Sequence, residues 1–384
     1  MSTSASSTKR TKLRLALICF HSCPVGRLGE KNTGGMNVYV RQLARELAAQ
    51  GNQVDVFTRT HELDEPQIVP IADGARVIHL DAGPPDAPKE DLDSHYWLSG
   101  VVAIELSRRW NAPHIATFHT LARTKQRARA GERESERRAH AEHQIIDTAD
   151  SIVVSTHIEK DDIARLYGAN GTPLEVIPPG VDTALFQPMN TADARRELDL
   201  PDKRTILYVG RIEPLKGLDI LLKAVALLND TANTHLLIVG GSLEKDAELE
   251  RLNTLAVNLG ISDIVTFIGS VKQEQLPAYY SASDVFVLPS WYESFGLVAL
   301  EAMSCGTPVV VSRVGGLKTF VENGKTGYLV PWRCPEPFAQ SLETLLENPS
   351  LRRAMGSAAR RKAMAMSWTA MATKMLACYH KNMG

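Results

Sequence analysis

A chain of 384 residues that is 44% hydrophobic and 23% charged, with a formal net charge of −1, has the material for two or three ordinary globular domains. That balance excludes a disordered chain, and a nearly neutral surface lacks the basic field that holds a nucleic-acid backbone. No apolar run approaches the roughly 18 residues of a membrane span, so no transmembrane segment is expected.

Residues 1–12 are small, polar and basic and read as a disordered tail without a secretory leader. Residues 13–20 form a short apolar run bounded by turn residues, which predicts a buried strand. A polar, glycine-rich loop follows up to Gly35, then a helix over 38–50 with Gly51 as its stop. Strands are predicted at 54–57, 77–80, 115–118, 152–155 and 174–177, with helices over 135–149 and 160–167. A turn-rich break at 178–183 and a polar connector at 189–200 precede a second series. Its strands are expected at 206–209, 236–239, 265–268, 285–288 and 309–311, with helices at 218–229 and 248–259. Residues 351–379 are helical in pattern. Strands alternating with helices predict an α/β fold of two Rossmann-like, doubly wound domains facing a cleft, over 13–183 and 184–350. Open sheets of this kind bind ligands beyond the carboxyl ends of their strands. Five cysteines (Cys19, Cys23, Cys305, Cys334, Cys378) are few and scattered. No second Cys/His pair completes a zinc site around Cys19 and Cys23, so reduced thiols in a cytosolic protein are expected.

Four motifs fall at predicted strand ends. Glu293-Ser-Phe-Gly-Leu-Val-Ala-Leu-Glu301 follows the strand at 285–288, with Ser294 expected as the N-cap of a helix over 295–303. A helix starting there aims free N–H groups and a positive dipole end into the cleft, which suits a phosphate. Glu293 can accept from sugar hydroxyls, and Glu301, about two turns along, can hold a ribose. Read alone, the two acids fit a loop charge and a helix-surface charge as well. Gly210-Arg-Ile-Glu-Pro-Leu-Lys-Gly217 places Arg211 and Lys216 at the next strand end, one a bidentate fork and one a point charge for a diphosphate. It lacks the Walker A spacing and its Lys-Ser/Thr ending. Thr33-Gly-Gly-Met-Asn-Val-Tyr39 permits close backbone approach at a helix start, or is a plain turn. It is not a dinucleotide fingerprint, and Thr58-Arg59 stands where that site needs an acid, which disfavours a nicotinamide enzyme. His119 ends the strand at 115–118, as a ligand contact or a structural histidine, and His95-Tyr-Trp-Leu-Ser-Gly100 gathers polar aromatics before a helix.

Together these motifs resemble family 4 of the glycosyltransferases, retaining enzymes of GT-B fold, over nearly the whole chain. The carriers are the Gly210-Arg211…Lys216 loop, the Glu293…Glu301 pair around Ser-Phe-Gly, and the Pro179-Gly-Val-Asp182 turn. The N-terminal carriers are Gly34-Gly-Met-Asn-Val-Tyr-Val40, Lys89-Glu-Asp-Leu92, His95 to Gly100 and His119-Thr-Leu-Ala122. They are most similar to the mycothiol-pathway branch, which joins N-acetylglucosamine from a UDP donor to inositol phosphate; sucrose-phosphate synthases are more distant. The resemblance implies a UDP-sugar donor of glucose or N-acetylglucosamine type, a small phosphorylated acceptor, anomeric retention, and neither an essential metal nor another cofactor. It gives the catalytic work to His119, Arg211, Lys216 and Glu293. It gives donor binding to these cations and Glu293 with Gly35, Phe295, Gly296, Leu297 and Glu301. Lys89, Tyr96, Thr120 and Arg138 (or its neighbour Arg137) match the acceptor-phosphate contacts, and His21 and Asn37 the polyol contacts. The C-terminal helices, 351–384, are expected to cross back onto the first domain. Two departures stand out. Arg27-Leu28 and Asn32 replace a Gln-Pro pair and an acid, which leaves the acceptor open. Between Leu92 and His95 there is no room for the strand and helix that relatives place there, so the first domain is expected to lack that unit. A UDP-sugar-binding protein without turnover is the alternative this shortening raises, and a homodimer stays open.

Overall fold

The computed structural model describes residues 12–19, 23–26, 34–60, 65–81, 97–128, 135–169, 171–242 and 246–383. Most of the expected tail, and the expected deletion at 92–95, lie outside the described residues.

The N-terminal domain runs through β1 (Arg14–Ile18), α1 (Gly35–Ala49), β2 (Gln53–Arg59), β3 (Ile68–Ala72), β4 (Ala75–Leu80) and α2 (Trp97–Trp110). It continues with β5 (Ile115–Thr117), α3 (Ala122–Ala128), α4 (Glu136–Thr148), β6 (Ser151–Val154), α5 (His157–Tyr167) and β7 (Leu174–Val176). The C-terminal domain holds α6 (Thr191–Glu197), β8 (Arg204–Val209), α7 (Leu218–Ala226), β9 (Thr234–Val239), α8 (Ala247–Asn258), β10 (Val265–Gly269) and α9 (Leu276–Ala282). After these come β11 (Val285–Leu288), α10 (Leu297–Ser304), β12 (Val309–Ser312), α11 (Leu317–Phe320), β13 (Gly327–Val330), α12 (Pro335–Glu347) and α13 (Pro349–Met364). The last helix is α14 (Trp368–Met383).

The C-terminal sheet has the order β10-β9-β8-β11-β12-β13, and every pairing in it is parallel. Residues of β8, β9, β11 and β12 are buried on both faces, which is why Ile206-Leu-Tyr-Val209 and Val309-Val-Val311 read as unbroken apolar runs. The chain direction across the sheet reverses between β8 and β11. That is the switch point where such sheets open a crevice, and both the Arg211/Lys216 loop and the Glu293 segment leave from it.

The N-terminal domain is divided. One sheet has the order β1-β2-β4-β3 and a second the order β5-β6-β7. Among the described strands none joins β1 to β5. A cavity of about 230 Å³ lies between them, lined among others by Ala16, Ile18, Ile115, Thr117, Met375 and Tyr379. Sequence patterning missed β3, an antiparallel strand at the sheet edge, because Pro70 sits inside it; a proline without an N–H is tolerated at such an edge. It also missed β13, which opens on Gly327, where a Cβ would lie 2.3 Å from the Val309 carbonyl oxygen.

The expected crossing of 351–384 needs correction. Met355, Ala359 and Ala363 of α13 belong to the C-terminal core, so that helix stays with the second domain. The crossing occurs at Ser367, where Val181 N–H donates to Met366 O at 2.9 Å and a Cβ on Gly180 would meet Trp368 N at 2.2 Å. Trp368, Met371, Met375, Leu376 and Tyr379 of α14 then share one core with α1, β1 and β2, a core that also takes Val153 of β6 and packs against Ile115 of β5. One helix thus supports both N-terminal sheets. Among the described residues no helix is long and apolar enough to cross a membrane.

Candidate active site

The loops leaving β8 and β11 are stitched together before any ligand arrives. Gly217, at φ +67°, presses on the Pro289 carbonyl, where a Cβ would come within 2.3 Å of the oxygen. Trp291 N–H donates to Leu215 O at 2.9 Å. These contacts bring Lys216 against Glu293, and the two form an ion pair with side chains 19% and 11% exposed. The Ser290 hydroxyl donates to the same carboxylate oxygen at 2.9 Å. The Glu293 main chain is held from the other side by the turn after β12: Gly316 N–H donates to Glu293 O at 3.2 Å. Gly315, at φ +40°, lies so close that a Cβ would come 1.6 Å from that oxygen. Arg211 is more open, 44% exposed, and pairs with Glu213 at 2.7 Å. Its backbone carbonyl accepts from the buried Tyr208 hydroxyl at 2.8 Å.

Helix α10 begins two residues later than its sequence suggests. The cap is Gly296 at φ +98°, a left-handed conformation that favours glycine, and not Ser294. The Ser294 hydroxyl instead donates across the domain boundary to His119 O. Phe295 is buried and stacks on Phe320 with ring centroids 5.0 Å apart, which anchors the turn. The N–H groups of Leu297 and Val298 open the helix and have no carbonyl partner within it, which leaves them as donors of the kind that suit an anion. Glu301, in the second turn, is buried and accepts from the Tyr280 hydroxyl at 2.9 Å. Burial pushes its carboxyl up to about 7, against the opposing hydrogen bonds of Tyr280 and Gln273.

From the first domain, Gly35 at the start of α1 approaches Leu297; a Cβ there would lie 3.3 Å from the Leu297 Cδ1. His119 lies beside this meeting point with its ring edge-on to Tyr39, centroids 4.8 Å apart. Desolvation lowers its pKa to about 4, so the imidazole is neutral at neutral pH. Thr120 and Arg138 converge: the guanidinium donates to Thr120 O at 3.0 Å and Oγ1 at 3.3 Å. Arg138 is buried and also pairs with Glu142 at 2.7 Å, a carboxylate that two further donors, Ala122 N–H and the Tyr167 hydroxyl, complete. Asn37 is occupied within the first loop: it accepts from Gly34 N–H at 3.0 Å and donates to Cys23 O at 2.7 Å. His21, Lys89 and Tyr96 lie outside the described residues.

Three parts of the site escaped sequence reasoning. The Gly315-Gly316 turn carries the same signal as Gly34-Gly35, a glycine pair at a helix start, and was legible in principle. Arg41 and Gln273 were not. The Arg41 guanidinium on α1 donates to the Gln273 side chain at 2.6 Å, and Gln273 bonds Glu301, so a polar chain crosses between the domains. Arg59, at the carboxyl end of β2, is buried with Nε and Nη1 lacking hydrogen-bond partners.

Two facing doubly wound domains with this cation–carboxylate crevice between them constitute the GT-B architecture of glycosyltransferases. Comparison with known proteins agrees: residues 33–185 match the family described as Glycosyltransferase Family 4, and residues 190–362 match Glycosyl transferases group 1. A D-inositol 3-phosphate glycosyltransferase of Acidothermus cellulolyticus is 41% identical over 394 aligned residues, covering 93% of this chain and 88% of that one. The protein of that name from Corynebacterium efficiens is 39% identical, covering 96% and 95%. The solved structure of a sucrose-phosphate synthase from Thermosynechococcus elongatus superposes with a TM-score of 0.89 at 35% identity, covering 96% and 99%. The chain belongs to glycosyltransferase family 4. It is a hexosyltransferase, most similar among these to the inositol-phosphate glycosyltransferases.

Proposed function

We propose that the enzyme moves a hexose of glucose or N-acetylglucosamine type from a UDP donor to a small phosphorylated polyol resembling inositol phosphate, with retention at the anomeric carbon. The observation that carries this reading is the pairing of Lys216 with Glu293 at the switch point, directly before the start of α10. Arg211, Lys216 and the first N–H groups of α10 form a positive cradle for a diphosphate, and such donors act most strongly on charge that develops as UDP departs. Glu301 takes the ribose hydroxyls. Glu293 takes the sugar hydroxyls, and neutral His119 contacts the sugar from the opposite domain. The bond from the anomeric carbon to the UDP oxygen breaks, and the bond to the acceptor oxygen forms on the same face. The acceptor proton passes to the leaving phosphate, so no protein nucleophile is required. With two cations and a helix end on the diphosphate, transfer needs no divalent ion there, and added Mg²⁺ should leave the rate unchanged. A cytoplasmic setting goes with this reading, since all five cysteines are free.

Thr120 and Arg138 are taken as the acceptor-phosphate site, to which the resemblance adds Lys89 and Tyr96, both outside the described residues. Transfer assays with inositol phosphate and with inositol test this, alongside melting curves over a panel of nucleotide sugars. A donor at about 100 times its Kd stabilises by about 2.7 kcal/mol. Lys89→Ala should raise KM for the phosphorylated acceptor and spare UDP affinity. Equal turnover of inositol and inositol phosphate would remove the need for a phosphate site.

A further inference from the structure

Cys23, Glu65 and His79 stand outside the transfer chemistry, yet they meet at one point on the cleft side of the first domain. Cys23 follows β1, Glu65 precedes β3, and His79 lies near the end of β4. Their ligand atoms, one sulfur, one carboxylate oxygen and one ring nitrogen, all lie within 4.8 Å of one another. The Cys23 Sγ to His79 Nε2 distance is 3.2 Å, and His79 Nε2 to Glu65 Oε1 is 3.8 Å. A tetrahedral zinc with bonds of about 2.0–2.3 Å sets its ligand atoms ~3.3–3.8 Å apart, close to the two separations at His79, and the third, from Cys23 to Glu65, lies within 4.8 Å.

The surroundings point the same way. His79 Nδ1 donates to Pro66 O at 2.7 Å, which places its ring proton on Nδ1 and leaves the Nε2 lone pair facing Cys23 and Glu65. A histidine fixed by a carbonyl behind it is the usual supporting arrangement at a zinc ligand. Here the carbonyl belongs to the residue next to Glu65, so one short segment supplies both a ligand and the brace for another. Cys23 is 6% exposed and the His79 side chain 2%, whereas the Glu65 side chain is 19% exposed and marks the open side. A thiolate and a carboxylate balance the charge of a divalent ion, so the filled site is neutral, as burial demands.

We propose that Cys23, Glu65 and His79 bind a zinc ion through three protein ligands, with water in the fourth position, and that the ion clamps the first loop to the sheet. Binding releases the Cys23 thiol proton to solvent and leaves the metal's oxidation state unchanged. Because Cys23 O accepts from Asn37, the clamp continues into the glycine turn that opens α1. This role concerns the shape of the loop, not the diphosphate, and does not depend on which acceptor the enzyme uses.

The test is titration of the metal-free full-length chain with Co²⁺ and Zn²⁺. The expected result is one equivalent bound, with a thiolate-to-cobalt charge-transfer band and tetrahedral ligand-field bands. Zn²⁺ should then displace Co²⁺ and raise the melting temperature. Cys23→Ser and His79→Gln should each lose the thiolate-dependent signal, while Cys334→Ser should keep it. Should either variant fail to fold, alkylation of the unmodified chain decides. Mass spectrometry should find Cys23 protected by one equivalent of Zn²⁺ and released by a chelator, with Cys334 modified throughout. Absence of stoichiometric binding, or Cys23 alkylation insensitive to zinc, would leave only an S–H···N hydrogen bond and overturn the proposal.

Discussion

Replacing Lys216 by alanine separates two roles that the structure superimposes. Its ammonium neutralises Glu293, and in the proposed reaction it also holds the departing diphosphate. Glu293 is 11% exposed at its side chain and keeps one neutral donor, the Ser290 hydroxyl, once the lysine is gone. Breaking a fully buried pair costs about 3–5 kcal/mol. With both side chains partly open to solvent, about 1–3 kcal/mol is the expected loss of stability here. Loss of a preorganised donor aimed at developing charge lowers kcat/KM by about 10²–10³. Chemical denaturation gives the first quantity, and steady-state UDP release the second. The double variant Lys216→Ala/Glu293→Gln then divides them. Removing the stranded charge should restore most of the stability while the rate stays low. A rate loss below about fivefold in Lys216→Ala would refute the assignment. Recovery of the rate in the double variant would show that Lys216 serves only to neutralise the Glu293 carboxylate.

Two titrations should shape the stability of the ligand-free enzyme in opposite directions. Glu301 has its carboxyl raised from 4.5 to about 7, so the native state holds that proton longer than the unfolded chain, and stability falls as pH rises from 4.5 to 7. His119 is lowered from 6.5 to about 4, so stability falls as pH drops across that window. Glu301→Gln should therefore gain on the parent between pH 5 and 8 in melting curves at constant ionic strength; parallel curves would contradict the buried carboxyl. Ending the chain after Ser367 removes the buried Trp368, Met371, Met375, Leu376 and Tyr379 and should abolish cooperative melting of the first domain, while the second still melts. An unchanged first domain would show that α14 is dispensable. Gly315→Ala places a Cβ on the Glu293 carbonyl and should cut kcat/KM by at least about tenfold; near-parental turnover would mean that the turn yields without moving Glu293.

What the sequence disclosed follows from where the information sits. Arg211, Lys216 and Glu293 follow apolar strands in short glycine-bearing segments, and Glu301 lies in the helix after one, so their place near strand ends was legible from neighbouring letters. Their partners were not: Lys216 meets Glu293 across 77 positions, Arg41 meets Gln273 across 232, and Cys23 meets His79 across 56. Such pairings are set by which strands adjoin, and periodicity does not carry that. Ser294 looks like a cap by its chemistry, yet the turn needs a left-handed residue, and Gly296 prevails. Asn37 looks like a ligand contact, and its amide also bridges Gly34 and Cys23, a loop-holding role that its spacing does not announce. In 351–384 two amphipathic helices follow one another with similar composition, and nothing in their spacing reveals that α13 and α14 belong to different domains.

The interruption between β1 and β5 among the described strands has a signature in the exchange of single amide hydrogens. Cys19 N–H donates to Phe57 O and Leu13 O accepts from Gln53 N–H, so the odd-numbered residues of β1 turn their backbone groups toward β2. With a strand's period of two, Ala16 and Ile18 turn theirs toward the cavity. Along five residues, slow and fast deuterium uptake should therefore alternate, Leu15 and Leu17 protected and Ala16 and Ile18 labile, as at the rim of a sheet, although β1 lies in the middle of its domain.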